Sequence, residues 1–490
     1  MTERNLLLDP YWEARDTGKA IPQSPHAVSV ALPLWRDVIA YEENDPACMA
    51  TLQSIYPRFG LNPIVAQIAN RALSKSEQSQ NTCWPYPNLP TAKKARQYCK
   101  SVTPNAHITI KEESGLFCLI VDEHTTPTAK AFWQHTGLGA SSRQAAIALN
   151  QEKSPLPSDG ERARELIRNR LAHIYGCESS LIHIHPSGMA ALTTALEALN
   201  RLSFNKASFQ VGFPYVDVLK LPEKIFNGSE LSLTKDPCKL EIELDQKRPS
   251  ALIVELPSNP MLQCVDLPLI SKLAHQRGIP VIADDTIGSP VNIDALPYAD
   301  LIFSSLTKSF AGRGDILAGS LVISPHSKWK QLFQETIPNS LLAELSDSDS
   351  IALEKASKDV HLRINELNNS CLVLKRNLED HPDVKRVFHP EHCSNFKSLM
   401  RPKAGFGCLL SLELFGGLAK TKRFYNSLKV CKGPSLGTNF TLACPYVLLA
   451  HYQELKWAEE CGVPSNLLRI SVGLEKPSEL WERFKTALNT

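Results

Sequence analysis

No run of about 18 uncharged apolar residues, the length a bilayer-crossing helix needs, occurs in the 490-residue chain. A membrane-spanning role is therefore not expected. Neither sign of charge is in excess: 53 Lys plus Arg against 51 Asp plus Glu leave a formal net charge of +2. That balance gives no electrostatic case for nucleic acid or an anionic membrane surface. No CxxC pair occurs among the 13 cysteines, an odd number scattered along the chain. Reduced thiols in a cytosolic (cytoplasmic) compartment are expected. The stretch MTERNLLLDPYWEARD carries acids early and no long apolar core, so a secretory signal is not expected there. Repeats and low-complexity tracts are missing as well.

What is present is ordinary for a soluble globular enzyme: 43% hydrophobic and 21% charged residues. The length calls for two or three domains. Residues 1–80 read as an irregular N-terminal arm broken by Pro33, Pro57 and Pro63. Residues 81–155 read as an insertion or small subdomain. In it WPYPNLP is a loop, and HITIKEESGLFCLIVDE is a hairpin around EESG. Regular alternation begins near residue 157. SDGERARELIRNRLAHIYG is an amphipathic helix with Asp159 as N-cap and Gly176 as stop. Apolar strands (LIHIHP, SFQVGF, SALIVEL, PVIADD, ADLIFSS, GSLVIS) then alternate with helices such as LPLISKLAHQRG, closed by Gly278. This predicts an α/β domain over 156–335 with a mostly parallel sheet buried on both faces. Residues 336–490 read as a smaller α+β domain, joined through one long helical stretch at 341–381 and carrying the strands DVKRVFHP, FGCLLSLELF and LLRISVGLE.

In open α/β sheets ligands gather beyond the carboxyl ends of the strands. The polar residues there form a set. Ser187, Gly188 and Met189 open a helix after LIHIHP. Ser187 is either a plain N-cap or, with the helix dipole and exposed N–H groups, part of a phosphate cradle. Tyr215 follows SFQVGF, as a core-edge tyrosine or as an aromatic stacked on a flat ligand. Asn259 lies in a Pro-flanked turn and can donate to a ligand oxygen. Asp284 continues a core strand and needs a cationic partner; Asp285 follows it. Ser305, Thr307 and Lys308 follow ADLIF, where Lys308 is either a solvent-exposed turn residue or a buried amine kept for chemistry. Taken together, these residues meet the needs of pyridoxal phosphate. Lys308 would form the Schiff base and Asp284 would keep the pyridine nitrogen protonated. Tyr215 would stack on the ring, and Ser187, Gly188, Met189, Ser305 and Thr307 would hold the phosphate.

The segments SGMAA (187–191), LPSNP (256–260), ADDT (283–286), SSLTK (304–308) and LLRISVGLE (467–475) stand in order over about two thirds of the chain. As a set they resemble the cystathionine γ-synthase-like group of Cys/Met-metabolism enzymes, fold-type I pyridoxal-phosphate proteins. The resemblance adds Tyr56 and Arg58, in IYPRFGLNP, as residues that reach the phosphate of a neighbouring subunit. It adds Arg469 as the clamp on the substrate α-carboxylate and Ser435 of the SLG loop beside it. It implies Lys308 and Tyr215 as catalytic residues and a homodimer or homotetramer with active sites shared between subunits.

The activity the resemblance implies is γ-replacement on an O-acyl-L-homoserine by a thiol such as cysteine. That reaction gives cystathionine, in transsulfuration and methionine biosynthesis. A related lyase, γ-substitution with a carbon nucleophile, and a non-catalytic scaffold are the alternatives. Departures from the family pattern put the substrate in question: Asp285 in place of the usual Asn, Pro434 before the SLG loop, FPYVD in place of a Tyr-Gly-Gly run, and the intervening 81–155. These features resemble the longer branch found in fungi and some microbes. HTGLGASS (135–142) mimics a glycine fingerprint but lacks the third glycine and a preceding strand. His183, His185, His389, His392 and Cys393 read as core or loop residues, not metal ligands. In GRGD (312–315) the glycines are expected to turn the chain sharply past the cofactor.

Overall fold

The computed structural model describes residues 4–74, 81–202 and 206–490. Its largest sheet has seven short strands: β1 Ile182–His185, β2 Ser208–Val211, β3 Ser229–Ser232, β4 Leu252–Glu255, β5 Val281–Asp284, β6 Leu301–Ser304 and β7 Gly319–Ile323. Their order is β1-β7-β6-β5-β4-β2-β3. Strands β6, β5, β4, β2 and β3 run parallel to one another, and β7 is antiparallel to both β6 and β1. Every residue of β4, β5, β6 and β7 is buried. Side chains alternate between two cores, as a period of two requires: Val281, Ala283 and Ile302 enter one, Ile282, Leu301 and Phe303 the other. Each such Val, Ile, Leu or Phe side chain contributes roughly 1.5–3 kcal/mol by leaving water. The continuous apolar strands arise from this double burial.

Helix Pro157–Tyr175 ends at Gly176, whose φ of 75° relieves the left-handed turn of any Cβ penalty. Asp159 is not its N-cap. It lies inside the first turn, because Pro157 takes the first helical position, where its missing N–H loses nothing. The GRGD turn places Gly312 and Gly314 at φ 69° and 76°.

A second sheet holds β8 Val384–Phe388, β9 Leu409–Leu414, β10 Cys431–Lys432, β11 Leu442–Pro445 and β12 Leu468–Ser471, in the order β8-β9-β12-β11-β10. Leu410, Leu412 and Ile470 pack there against Phe424 and Phe484 of covering helices. The stretch expected as one long helix is two, Asp347–Ala356 and Val360–Glu379. Ser357 breaks it. Its Oγ donates to the Leu353 carbonyl at 2.7 Å and accepts from Arg170 at 2.5 Å, competing with helix continuation.

The arm is less irregular than its prolines imply. It contains helices Trp35–Glu42, Pro46–Thr51 and Pro63–Ser74, and Pro63 starts a helix instead of breaking one. Between arm and large sheet lies a three-stranded antiparallel sheet, Thr82–Tyr86, Leu116–Val121 and Ile108–Glu113 in spatial order. Its hairpin turns at Ser114 and Gly115, both with positive φ, as a type I′ turn demands.

Glu255, Asp284 and Ser304 end the parallel neighbours β4, β5 and β6. At the start of antiparallel β7, Gly319 passes so close to the helix opening that an added Cβ would lie 2.2 Å from the Ser187 carbonyl oxygen. Gly319→Ala is expected to lower stability by about 1–3 kcal/mol in urea unfolding. An unchanged midpoint would show that this approach is not tight.

Candidate functional site

Lys308 is not a solvent-exposed turn residue. Only 9% of it is exposed. Its Nζ donates to Tyr56 Oη and to Ser435 Oγ, both at 3.3 Å, and lies 5.2 Å from the centre of the Tyr56 ring. Among the described residues no carboxylate pairs with it. Burial works to raise the Tyr56 phenol's pKa. The charge of Lys308, a hydrogen bond with Tyr215 and the charge of Arg469 outweigh burial and hold it below its usual value.

Three buried carboxyl groups stand near the strand ends. Asp284 Oδ1 accepts from the Thr286 N–H at 2.9 Å, and no cation among the described residues reaches it. Burial pushes its pKa up to about 6. Glu255 stands beside it in register on β4. Burial and then the Asp284 charge hold Glu255 well above the carboxylate range, while its Oε2 accepts from the N–H groups of Tyr215 (2.9 Å) and Asn259 (3.1 Å). Asp285 accepts from the Tyr175 hydroxyl at 2.8 Å, and burial pushes it up to about 7.

The helix Gly188–Arg201 opens toward the same space. Ser187 is its N-cap, accepting from the Ala190 N–H at 3.0 Å and donating to the Gly137 carbonyl at 3.0 Å. The Ser187 hydroxyl is thereby occupied, and the N–H groups of Gly188 and Met189 are what the helix start offers an anion. Gly188 is required by a close approach: its Cβ would meet Ser305 Cβ at 3.0 Å. The Ser305 N–H donates to Thr286 Oγ1 at 2.8 Å. The Thr307 hydroxyl is committed to Ala318, donating to its carbonyl at 3.3 Å and accepting from its N–H at 3.0 Å.

Arg58 approaches Asp217 at 3.5 Å, yet its Nε is buried without a hydrogen-bond partner. Burial opposes its charge; Asp217, Tyr215 and Tyr56 outweigh that and raise its pKa. Asp217 is also hydrogen-bonded to His135 Nδ1 at 3.2 Å. Arg469, 3% exposed, donates to the Pro434 and Ser435 carbonyls at 3.1 and 3.0 Å and to Asn259 Oδ1 at 3.5 Å, over the Tyr446 ring. No carboxylate among the described residues pairs with it.

The structure brings the sequence-predicted residues together. All of them except Ser435 line one cavity, and Ser435 joins through Lys308 Nζ. Tyr56 and Arg58, from the arm, line this cavity with the rest. Two contributors were not read from the sequence. Glu255 carries the same signal as Asp284, an acid ending an apolar strand. The segment around HTGLGASS supplies Gly137, Gly139 and Ala140 to the cavity wall, with Trp133 and Gln134 before it. No cluster suited to a metal occurs among the described residues.

Residues 158–489 match the family described as Cys/Met metabolism PLP-dependent enzyme, and residues 64–141 match the fungal trans-sulfuration enzyme N-terminal domain. The chain belongs to this PLP-dependent family. It is 29% identical to a cystathionine gamma-synthase of Neurospora crassa, over 96% of this chain and 98% of that one. It is 30% identical to an L-2-amino-4-chloropent-4-enoate dechlorinase/desaturase of Streptantibioticus cattleyicolor, over 96% and 98%. The fold is similar to that of a Xanthomonas oryzae cystathionine gamma synthase crystallised with cystathionine, with a TM-score of 0.60 at 23% identity over 69% of this chain and 88% of that one. The family's cofactor, pyridoxal phosphate, fits what the cavity offers: a buried carboxylate lacking a cation, an Arg58 Nε lacking an acceptor, and a helix start where Gly188 leaves no room for a side chain.

Raised carboxyl groups carry a pH signature. Asp285's contribution to stability is complete below the unfolded value near 3.8 and is lost as pH rises through about 7. Asp285→Asn keeps an acceptor for Tyr175 without the charge. In cofactor-free protein it should raise the melting temperature at pH 8 by at least about 2 °C, with a smaller gain at pH 5. Equal gains at both pH values would contradict a raised Asp285.

Proposed function

We propose that the protein catalyses γ-replacement on an O-acyl-L-homoserine with cysteine: the Cγ–O bond breaks, the acyl group leaves as its carboxylate, and the cysteine sulfur, losing its proton, bonds to Cγ to give cystathionine. The supporting observation is the pair of buried, carboxylate-free cations in one cavity: Lys308 Nζ, steered by Tyr56 and Ser435, and Arg469, braced by Asn259 and two carbonyls. Arg469 binds the substrate α-carboxylate bidentately, the geometry its planar fork provides. Lys308 Nζ moves the Cα proton and then a Cβ proton, with Tyr56 Oη and Ser435 Oγ holding it in line. Bound pyridoxal phosphate supplies the electron sink for these proton transfers. With the cofactor bound, Asp284 would balance the ring nitrogen and Tyr215 would cover the ring face. Gly188, Met189, Ser305 and Arg58 would hold the phosphate, with Ser187 and Thr307 shaping the two turns that present it.

Elimination is the second reading. Pro434 precedes the SLG loop, and Trp133, Leu449 and Ala450 contribute an apolar wall, so on that side no acid among the described residues is offered to the ammonium of an incoming amino acid. A relative named for dechlorination and desaturation is consistent with that outcome.

Borohydride should fix the cofactor onto the peptide containing Lys308. Lys308→Ala should lose that label and at least about 100-fold in turnover. A colourless wild-type protein, or label on another lysine, contradicts the assignment. With O-acetyl- or O-succinyl-homoserine plus cysteine, cystathionine is the expected product. A 2-oxo acid formed at the same rate with or without thiol would replace this reading with the lyase.

A further inference from the structure

We infer that Tyr446 recognises the leaving group, its hydroxyl donating to the substrate's acyl ester as the Cγ–O bond breaks. This rests on the γ-replacement reading above and names what holds the departing acyl group. Tyr446 is 3% exposed and lines the cavity, and its Oη is buried without a hydrogen-bond partner among the described residues. A buried hydroxyl left without a partner is destabilising, so one standing at a cavity wall points to a ligand atom. The other two tyrosines of the cavity, among the described residues, are committed. Tyr56 Oη accepts from Lys308 Nζ at 3.3 Å, and the Tyr215 hydroxyl is hydrogen-bonded with Tyr56 and Asp217.

The fold places Tyr446 next to the carboxylate clamp. Cys444 on β11 is the register partner of Arg469 on β12. Pro445 ends that strand, and Tyr446 opens the short helix Tyr446–Ala450. The Arg469 guanidinium lies over the Tyr446 ring, 4.8 Å from its centre. His451 meets the ring edge-on, with centroids 6.4 Å apart, so the ring is held between two side chains. Leu449 and Ala450 of the same helix continue the cavity wall, with Pro434 beside Arg469. An amino acid whose α-carboxylate is held by Arg469 would lay its side chain along this wall. The ester is the polar group of an O-acyl-homoserine nearest Cγ, and the Tyr446 hydroxyl is a polar atom set among apolar neighbours there.

The hydroxyl suits a donor's role. Burial raises the phenol's pKa and outweighs the opposing charge of Arg469, so the proton stays on the oxygen. Glu255, Arg58 and Tyr56 also act on the phenol, which sets it within the cavity. When the Cγ–O bond breaks, its electron pair goes to the acyl group, which departs as a carboxylate and takes no proton. A hydrogen bond to that group strengthens as the charge develops, which is how a fixed donor favours the transition state over the bound substrate.

The test compares cofactor-loaded wild type and Tyr446→Phe on two amino acids, each supplied with cysteine. One is O-acetyl-L-homoserine, or O-succinyl-L-homoserine if the wild type turns over only that ester. The other is L-vinylglycine (2-aminobut-3-enoate), which has no leaving group and gains the thiol at Cγ by addition. For the ester, kcat/KM should fall roughly 10- to 100-fold, the loss expected for a hydrogen bond to a group gaining charge. For L-vinylglycine it should stay near wild type. The variant's melting temperature should equal or exceed that of wild type, because the hydroxyl has no partner in the chain to lose. Equal losses on both amino acids, no loss on either, or a variant that no longer gives the borohydride label at Lys308 would overturn the inference. Wild-type protein that consumes neither amino acid would fail the functional reading itself, whereas active wild type with an unselective Tyr446→Phe would fail only this inference.

Discussion

A carboxylate buried at the end of a core strand, with no cation among the described residues to balance it, is the constraint on which the site depends. Asp284 is 5% exposed, stands beside buried Glu255, and is hydrogen-bonded locally by Thr286, through its N–H and its side chain. Burial without compensation is unfavourable by several kcal/mol for such a group. The sequence nevertheless places it there, on the strand at the middle of the sheet order. A protonated pyridine nitrogen, on the proposed reading, would answer that charge, and the surrounding groups are those the proposal uses. Lys308 leaves the neighbouring strand β6, the Gly188 helix start faces Ser305, and Arg469 comes from the second sheet.

The two sheets contribute different chemistry. In the proposed reading the mostly parallel sheet would hold the cofactor through strand ends and one helix start, whose flanks are buried on both faces. The smaller sheet would hold the substrate through Arg469 on β12 and the 434–437 loop. Gly437 makes that approach possible, since a Cβ there would lie 2.4 Å from the Ser309 N–H nitrogen. The arm then bridges both through Tyr56, whose hydroxyl meets Lys308 and whose pKa is lowered by the cations around it.

Much of this was legible in the sequence because polar residues interrupt apolar strands only where strands end. Asp284, Lys308, Asn259 and Ser187 all stand out that way. Glu255 carries the same mark, masked by the Pro-flanked turn that follows it. The break at Ser357 was not legible, since serine is tolerated within helices and the interruption depends on Arg170 arriving from elsewhere. The helices of the arm were hidden by prolines that occupy helix starts. The role of 133–140 was hidden because its glycines have meaning only against Ser187, about 50 positions later, and no local pattern announces that contact.

The most direct test of the account is the protonation state of the cofactor's ring nitrogen, read from the ¹⁵N chemical shift of labelled pyridoxal phosphate bound to the protein. A protonated nitrogen at pH 8 in wild type, lost in Asp284→Asn, is the expected result. An unprotonated nitrogen in wild type, or one indifferent to that substitution, would contradict the assignment of Asp284 on which the arrangement of the site rests.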